Sequence, residues 1–227
     1  MRRILLAEGA VDRGSLSEIL ALARKAKVRV ERRRRAELDA RARSRAHQGV
    51  IAEVDEYRFR SWREGVELAQ ARREAPMLLA LDGITDPQNL GSLLRSAEVF
   101  GTHAVIISSR RSAPITPVVE KAAAGALEHL IVDRVASLDR ALADCRTSGL
   151  WIIGLAGDAP TGIHELELLA EPIVLVVGGE GKGISRLVRD RADQIVSIPM
   201  TGRTSSLNAA IAGAIALYEA RSARPRR

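Results

Sequence analysis

From Met77 onward the chain repeats one pattern, a short and mostly apolar run followed by a segment with helical spacing. The runs are Met77–Leu81, Ala104–Ile107, Trp151–Leu155, Ile173–Val177 and Gln194–Ile198, and the segments between them include Leu90–Phe100, Pro117–Ala126, Ser137–Arg146 and Ser185–Arg191. A strand that is apolar on both faces must be covered on both, and strands joined through helices run parallel. The expectation is an α/β domain with a parallel sheet between helical layers. Ligands of such sheets bind beyond the carboxyl ends of the strands, so any chemistry belongs in the loops that follow the runs.

The part before Met77 is different. A strand at Arg3–Ala7, a helix at Ser15–Ala26, a strand at Val28–Glu31, a charged helix from Ala36 to about Arg45 and a strand at Val50–Val54 make a small α/β module over residues 1–57. Ser15 with Glu18 reads as a capping box at the start of its first helix. The module opens directly on a strand, as though a leading helix were missing, which leaves two expectations, a shortened domain or a start that lies upstream. Residues 58–75 are highly charged and end at Pro76, so they read as a linker with some helix over Trp62–Arg72. The regular pattern then occupies residues 76–227.

Composition narrows the partner. The formal charge of +7 favours a polyanion, although a basic surface kept for solubility has the same composition. Aromatic residues make up 3% of the chain, so stacked rings are not the main grip on a ligand. Cys145 is the sole cysteine, and His47, His103, His129 and His164 are scattered without ligand spacing, so no metal is expected. The run Ile4–Ala7 is too short for a signal peptide, and no stretch approaches the roughly twenty apolar residues of a membrane span. The expected location is cytoplasmic.

Three loops after apolar runs stand out. In Asp82-Gly83-Ile84-Thr85-Asp86-Pro87-Gln88-Asn89-Leu90-Gly91, Asn89 is placed to cap the following helix and Arg95 lies nearly two turns further on, where a guanidinium would meet a phosphate. A capped helix with a solvent arginine has the same letters. The second loop, Gly178-Gly179-Glu180-Gly181-Lys182-Gly183, is not a Walker loop, because Val176 stands where that pattern requires glycine. It is a glycine-rich turn that exposes one carboxylate, Glu180. The third, Ile198-Pro199-Met200-Thr201-Gly202-Arg203-Thr204-Ser205-Ser206-Leu207-Asn208, runs into a small-residue helix from Ala209.

Taken together, Asp86–Gly91 with Arg95, Gly178–Gly183, and Ile198–Met200 with Ser205–Asn208 resemble the three motifs of the SpoU (TrmH) family of RNA ribose 2′-O-methyltransferases, in order and at family-like separations. Residues 1–57 resemble the L30e-like RNA-binding domain of the subgroup that methylates 23S rRNA, with Ala46-His47-Gln48-Gly49-Val50 matching its end. The resemblance implies a parallel-sheet methyltransferase domain with a C-terminal deep trefoil knot, S-adenosyl-L-methionine as cofactor, RNA as substrate, no metal, and a homodimer. It implies cofactor contacts at Gly178, Ile198, Met200 and Leu207. It assigns the reaction to Arg95, Asn89, Glu180, Ser206 and Asn208. An arginine stays protonated in proteins, so Arg95 ranks first as an anchor for the developing alkoxide and second as a proton acceptor. Arg203 falls at a position that varies in the family and bears on which RNA is accepted. A guanosine of 23S rRNA is the leading target, with tRNA methylation, antibiotic-resistance methylation of rRNA, and a non-catalytic assembly factor as the competing readings.

Overall fold

The computed structural model describes residues 1–11, 13–42, 47–204 and 206–225. It divides into two units, Met1–Arg58 and Phe59–Arg227.

In the first unit the apolar strand β1 (Arg3–Ala7) lies at the centre of a three-stranded sheet. It is followed by α1 (Ser15–Lys25), β2 (Arg29–Arg33), α2 (Arg35–Arg41) and β3 (Val50–Glu53). Strand β2 pairs parallel to β1 and β3 antiparallel. The core is small: Leu5, Ala7 and Leu38, with Ile51 packed against them. Arginines tie the rim, with Arg3 reaching Glu53 at 2.6 Å and Glu31 at 3.3 Å. The hydrogen bond from Arg3 holds the Glu53 carboxyl below the usual range.

Three expectations change here. No side chain caps α1; Gly14, at φ 57, is the cap residue and Ser15 is already helical, one position too late for a capping box. Strand β2 begins and ends later than Val28–Glu31, because it follows β1 in register from Arg3 opposite Arg29 to Ala7 opposite Arg33. Backbone pairing, not side-chain polarity, sets its length. Helix α2 ends at Arg41; the remainder of the expected helix, Arg43 to Arg45, and Ala46 lie outside the described residues.

The stretch read as a linker belongs to the second unit. Helix α3 (Trp62–Ala71) starts at a true capping box, in which Ser61 and Glu64 satisfy each other's backbone amides. Its stripe of Trp62, Val66 and Ala69 has helical spacing and faces the sheet. Trp62 is 2% exposed and joins the core with Leu78, Ala104 and Leu142. Charge on the other faces hid that stripe.

The rest alternates as expected: β4 (Met77–Asp82), α4 (Pro87–Val99), β5 (Ala104–Ser108), α5 (Pro117–Ala123), β6 (Val132–Val135), α6 (Leu138–Thr147), β7 (Trp151–Leu155), β8 (Ile173–Gly178), α7 (Arg186–Arg191), β9 (Gln194–Val196) and α8 (Ala209–Ser222). The sheet order is β6-β5-β4-β8-β7-β9, and every neighbouring pair is parallel. All residues of β4 and β8 are buried, which accounts for their unbroken apolar character. Strand β6 was not expected, since Val-Asp-Arg-Val at a sheet edge has no apolar run. Strand β9 stops at Val196 rather than Ile198 because Ser197 pairs instead with the loop at Gly162, accepting from the Ile163 amide at 2.8 Å. Helix α5 ends at Ala124, which is left-handed at φ 49, and a short 3-10 turn follows at Ala126–Glu128.

From β4 the chain moves outward through β5 and β6, whereas β8, on the other side of β4, leads to β7 and β9. The strand order therefore reverses between β4 and β8, and a crevice opens beside that point, over the carboxyl ends of β7 and β8. Helix α8 packs on α4 so closely that a Cβ on Gly213 would lie 2.3 Å from Leu93 Cδ2. Among the described residues no helix is long and apolar enough to cross a membrane.

Candidate active site

Three loops meet at that crevice, each held by a different local device. After β4, Asp86 caps α4 by accepting from the amides of Gln88 at 2.6 Å and Asn89 at 3.1 Å, with Pro87 as the first helical residue. Asn89 is thus not the cap. Proline favours the first helical position, which moves the cap back to Asp86 and leaves the Asn89 side chain free to reach elsewhere.

After β8 the chain doubles back on itself. A Cβ on Gly178 would lie 2.0 Å from the Gly183 carbonyl carbon, so only glycine allows this turn. The Gly183 amide closes it by donating to the Gly179 carbonyl at 3.0 Å, and the Gly179 amide donates to the Asp82 carbonyl at 2.9 Å. Backbone thus zips the two central strand ends together and presents Glu180 outward. Asp82 adds a side-chain tie, accepting from the Ser185 amide at 2.6 Å.

In the third loop, Asn208 caps α8, its Oδ1 accepting from the Ala210 and Ile211 amides at 2.9 and 3.2 Å. That leaves its Nδ2 to donate to Glu180 Oε1 at 2.6 Å and to Asn89 Oδ1 at 2.9 Å. Asn89 Nδ2 donates to the same Glu180 oxygen at 2.9 Å. The backbone amides that bind Asn208 Oδ1 thereby orient both carboxamides. Asn89, Glu180 and Asn208, up to 119 residues apart in sequence, form one closed hydrogen-bonded group.

This group borders a cleft of about 810 Å³, within the range of small-molecule sites. Of the residues singled out in the sequence, Gly178, Glu180, Ile198, Met200, Ser206, Leu207 and Asn208 line it; Ser205 lies outside the described residues. Met200 and Leu207 remain 39% and 37% exposed, apolar side chains open to the cleft. Arg95 is exposed on α4, and among the described residues no hydrogen bond or ion pair holds it. The cleft also has a wall that sequence reasoning missed, Leu155-Ala156-Gly157-Asp158 after β7, with Arg189 paired to Asp158 at 2.5 Å. That ion pair holds the Asp158 carboxyl below its ordinary range. Its signal was present, since a small residue, a glycine and an acid follow an apolar strand there as they do at Gly178–Glu180.

Comparison with known proteins agrees with this geometry. The SpoU rRNA methylase family matches residues 76–218, and the family of RNA 2′-O ribose methyltransferase substrate-binding domains matches residues 1–60. The chain is 41% identical over 222 residues to the 23S rRNA (guanosine-2′-O-)-methyltransferase RlmB of Pseudomonas putida, across 97% of this chain and 88% of that protein. An uncharacterized tRNA/rRNA methyltransferase of Synechocystis is 44% identical over 173 residues, which span 76% of this chain and 45% of that one. Among solved structures, the SpoU methyltransferase AviRb of Streptomyces viridochromogenes in complex with AdoMet superposes with a TM-score of 0.76 at 25% identity, covering 97% of this chain and 82% of that one.

Proposed function

Because the chain belongs to the SpoU rRNA methylase family, we propose that it is an S-adenosylmethionine-dependent enzyme that methylates a ribose 2′-hydroxyl of RNA, namely a guanosine of 23S rRNA. The observation that carries this reading is the convergence of Asn89, Glu180 and Asn208, from three distant segments, into one hydrogen-bonded group at the edge of a cleft that Glu180 and Asn208 line.

The cleft fits the cofactor on its own terms. Gly157, Gly178 and Gly179 offer main chain without side chains, Ile198, Met200 and Leu207 offer apolar contact, and the Glu180 carboxylate stands at the rim where a cationic sulfonium is favoured. When bound, S-adenosylmethionine supplies an electrophilic methyl group. The residues of the chain supply position. Glu180, fixed by two amide donors, cannot swing away, and Asn208 is anchored to the start of α8. Arg95 stays charged and, with no partner among the described residues, is available to a phosphate and to the oxygen on which negative charge develops. In-line placement of two reactants accounts for a large part of such a barrier, which suits a site built from fixed groups.

The remaining parts of the assembly follow from the same reading. Residues 1–58 are the RNA-gripping domain: they hold 15 Arg and Lys against 9 Asp and Glu, a formal +6 of the chain's +7. The pairing of Ser197 with the Thr161–Ile163 loop, followed by the return of α8 onto α4 and β8, supports a chain threaded into a trefoil knot. Val99 on α4 and Ile211 and Tyr218 on α8 are 64%, 53% and 56% exposed on two helices that pack together, which supports a homodimer through that face. The enzyme works in the cytoplasm, where its ribosomal substrate is.

Incubation with methyl-labelled S-adenosylmethionine and either 23S rRNA or tRNA, followed by mapping of 2′-O-methylated positions, tests the reading. Label in a guanosine ribose of 23S rRNA is the expected result. Label confined to tRNA overturns the substrate, and absence of cofactor binding in calorimetry overturns the activity.

A further inference from the structure

A second cleft, of about 290 Å³, opens at the carboxyl ends of β4, β5 and β6. Its lining includes Arg110 and Arg111 from the loop after β5, Ser108, Ser137 and Asp139. The two acids beside it are already engaged: Asp139 pairs with Arg191 at 2.7 Å, and Asp82 accepts from the Ser185 amide. The two arginines are not. Among the described residues neither guanidinium has an ion pair or a side-chain hydrogen bond, so two exposed arginines stand at a cleft whose own carboxylates, Asp82 and Asp139, are turned to the Ser185 amide and to Arg191.

Two features tie this cleft to the first. The turn after β8 forms a partition between them, with Gly178–Gly183 facing the larger cleft and Ser185–Val188 the smaller. The loop that carries Arg111 is also fastened to the loop that carries Asn89, through the Ala113 amide and the Ile84 carbonyl at 2.8 Å. Arg111 itself sits at φ 57, a left-handed conformation in which glycine would be unstrained and arginine is not.

We propose that the second cleft receives a backbone phosphate of the RNA strand beside the target ribose, held by Arg110 and Arg111. This rests on the reading of the substrate as RNA. A phosphodiester next to the methylated nucleotide needs an anchor close to the loop that carries Asn89 but outside the cofactor cleft, and this pair meets both conditions. Planar guanidinium groups match a phosphate's geometry and leave sequence choice to other contacts.

The full-length protein, as wild type, Arg110→Gln, Arg111→Gly and the double variant, is titrated with labelled 23S rRNA fragments at several salt concentrations, and methyl-transfer kinetics and S-adenosylmethionine affinity are measured alongside. Each single variant is expected to weaken RNA binding about three- to tenfold, and to reduce the slope of log affinity against log salt by about 0.7 where the strand is single. The effect falls on KM for RNA, with cofactor affinity unchanged. Arg111→Gly also distinguishes binding from folding: its melting temperature stays level or rises while RNA affinity falls. A double variant with wild-type RNA affinity and salt slope overturns this proposal alone. Wild-type protein that binds the cofactor but no RNA overturns both this proposal and the RNA substrate.

Discussion

The two units divide net charge and core very unequally. Residues 1–58 carry a formal +6 around a core of Leu5, Ala7 and Leu38, whereas residues 59–227 carry the remaining +1 around a six-stranded sheet whose two central strands are wholly buried. Each fully buried Leu, Ile or Val contributes roughly 1.5–3 kcal/mol, so the larger unit is rigid enough to hold amide and carboxylate groups at hydrogen-bond distance across 119 residues of sequence. The smaller one is built to present arginines. A polyanion can be gripped by a charged surface with little internal order, but a methyl transfer requires fixed geometry. The smaller unit thus carries most of the net positive charge that draws a polyanion, and the larger one the fixed geometry that chemistry requires, with Arg95, Arg110 and Arg111 as its own unpaired cations among the described residues.

Substitutions can test this separation directly. The largest effect is expected from Arg95→Ala, which should lower kcat about a thousandfold, the scale of losing one group that stabilises developing negative charge. Its melting temperature and cofactor affinity should not move, since the side chain holds no part of the fold. Calorimetry and single-turnover kinetics would check both halves, and near-wild-type turnover would remove Arg95 from the mechanism. Asn208→Ala should cost activity and stability together, about a hundredfold in kcat and about 1 kcal/mol from the lost helix cap, as read by kinetics and denaturant melts. Stability lost with full activity retained would reduce the Asn89–Glu180–Asn208 group to a structural brace.

A smaller effect belongs to the first unit. Arg32, Arg34 and Arg35 form no ion pairs among the described residues, and replacing all three with serine should raise KM for RNA about tenfold and flatten its salt dependence. Cofactor affinity should be unaffected. Weakened cofactor binding in that variant would break the separation of the two roles.

The smallest effect is one of stability alone. His103, 5% exposed, accepts from the Met77 amide at Nδ1 and lies 3.0 Å from Glu74 at Nε2. Burial lowers its pKa below the ordinary 6.5 despite that carboxylate. The unfolded chain then binds more protons below pH 6.5, so this contribution to stability is complete above that value and is lost as pH falls through 6.5 toward the folded pKa. Melts between pH 7.5 and 5 should show the decline, and His103→Asn should flatten it. Cys145, buried with its thiol pushed up to about 12, should stay unreactive toward thiol reagents until the protein unfolds.

Much of the fold is legible in the sequence. Strands buried on both faces advertise themselves by unbroken apolar runs, and for that reason β4, β5, β7 and β8 lay close to where periodicity placed them. Edge strands do not. Strand β6 is half polar, and β2 is mostly charged and takes its bounds from its pairing with β1. Helix α3 was expected within one residue of its bounds, but its place in the core was missed because three inward residues were outnumbered by charges on its other faces. The asymmetry of charge between the units could be counted from the sequence, but it acquires meaning only once the boundary between them is known.

The three loops show the same limit at the site. Residue types and spacing were enough to single out Asn89 and Glu180 and the polar loop that ends at Asn208, because a capped helix start, a strand-ending glycine turn and a polar loop before a small-residue helix are local patterns; Asn208 itself was picked out only by the resemblance to the family's third motif. Local pattern cannot say which of two neighbouring residues caps a helix when a proline intervenes, and Asp86 took that role from Asn89. Nor can it say that the freed Asn89 amide meets Glu180, that both meet the amide of Asn208, or that Arg95 has no partner among the described residues. Those outcomes depend on the reversal of strand order between β4 and β8, a property of the whole sheet. The sequence by itself determined the layers, the loops and the chemical groups available, because burial and turn geometry act over a few residues. The tertiary structure decided which of those groups touch, because hydrogen bonds between distant residues form only where the completed sheet brings them together.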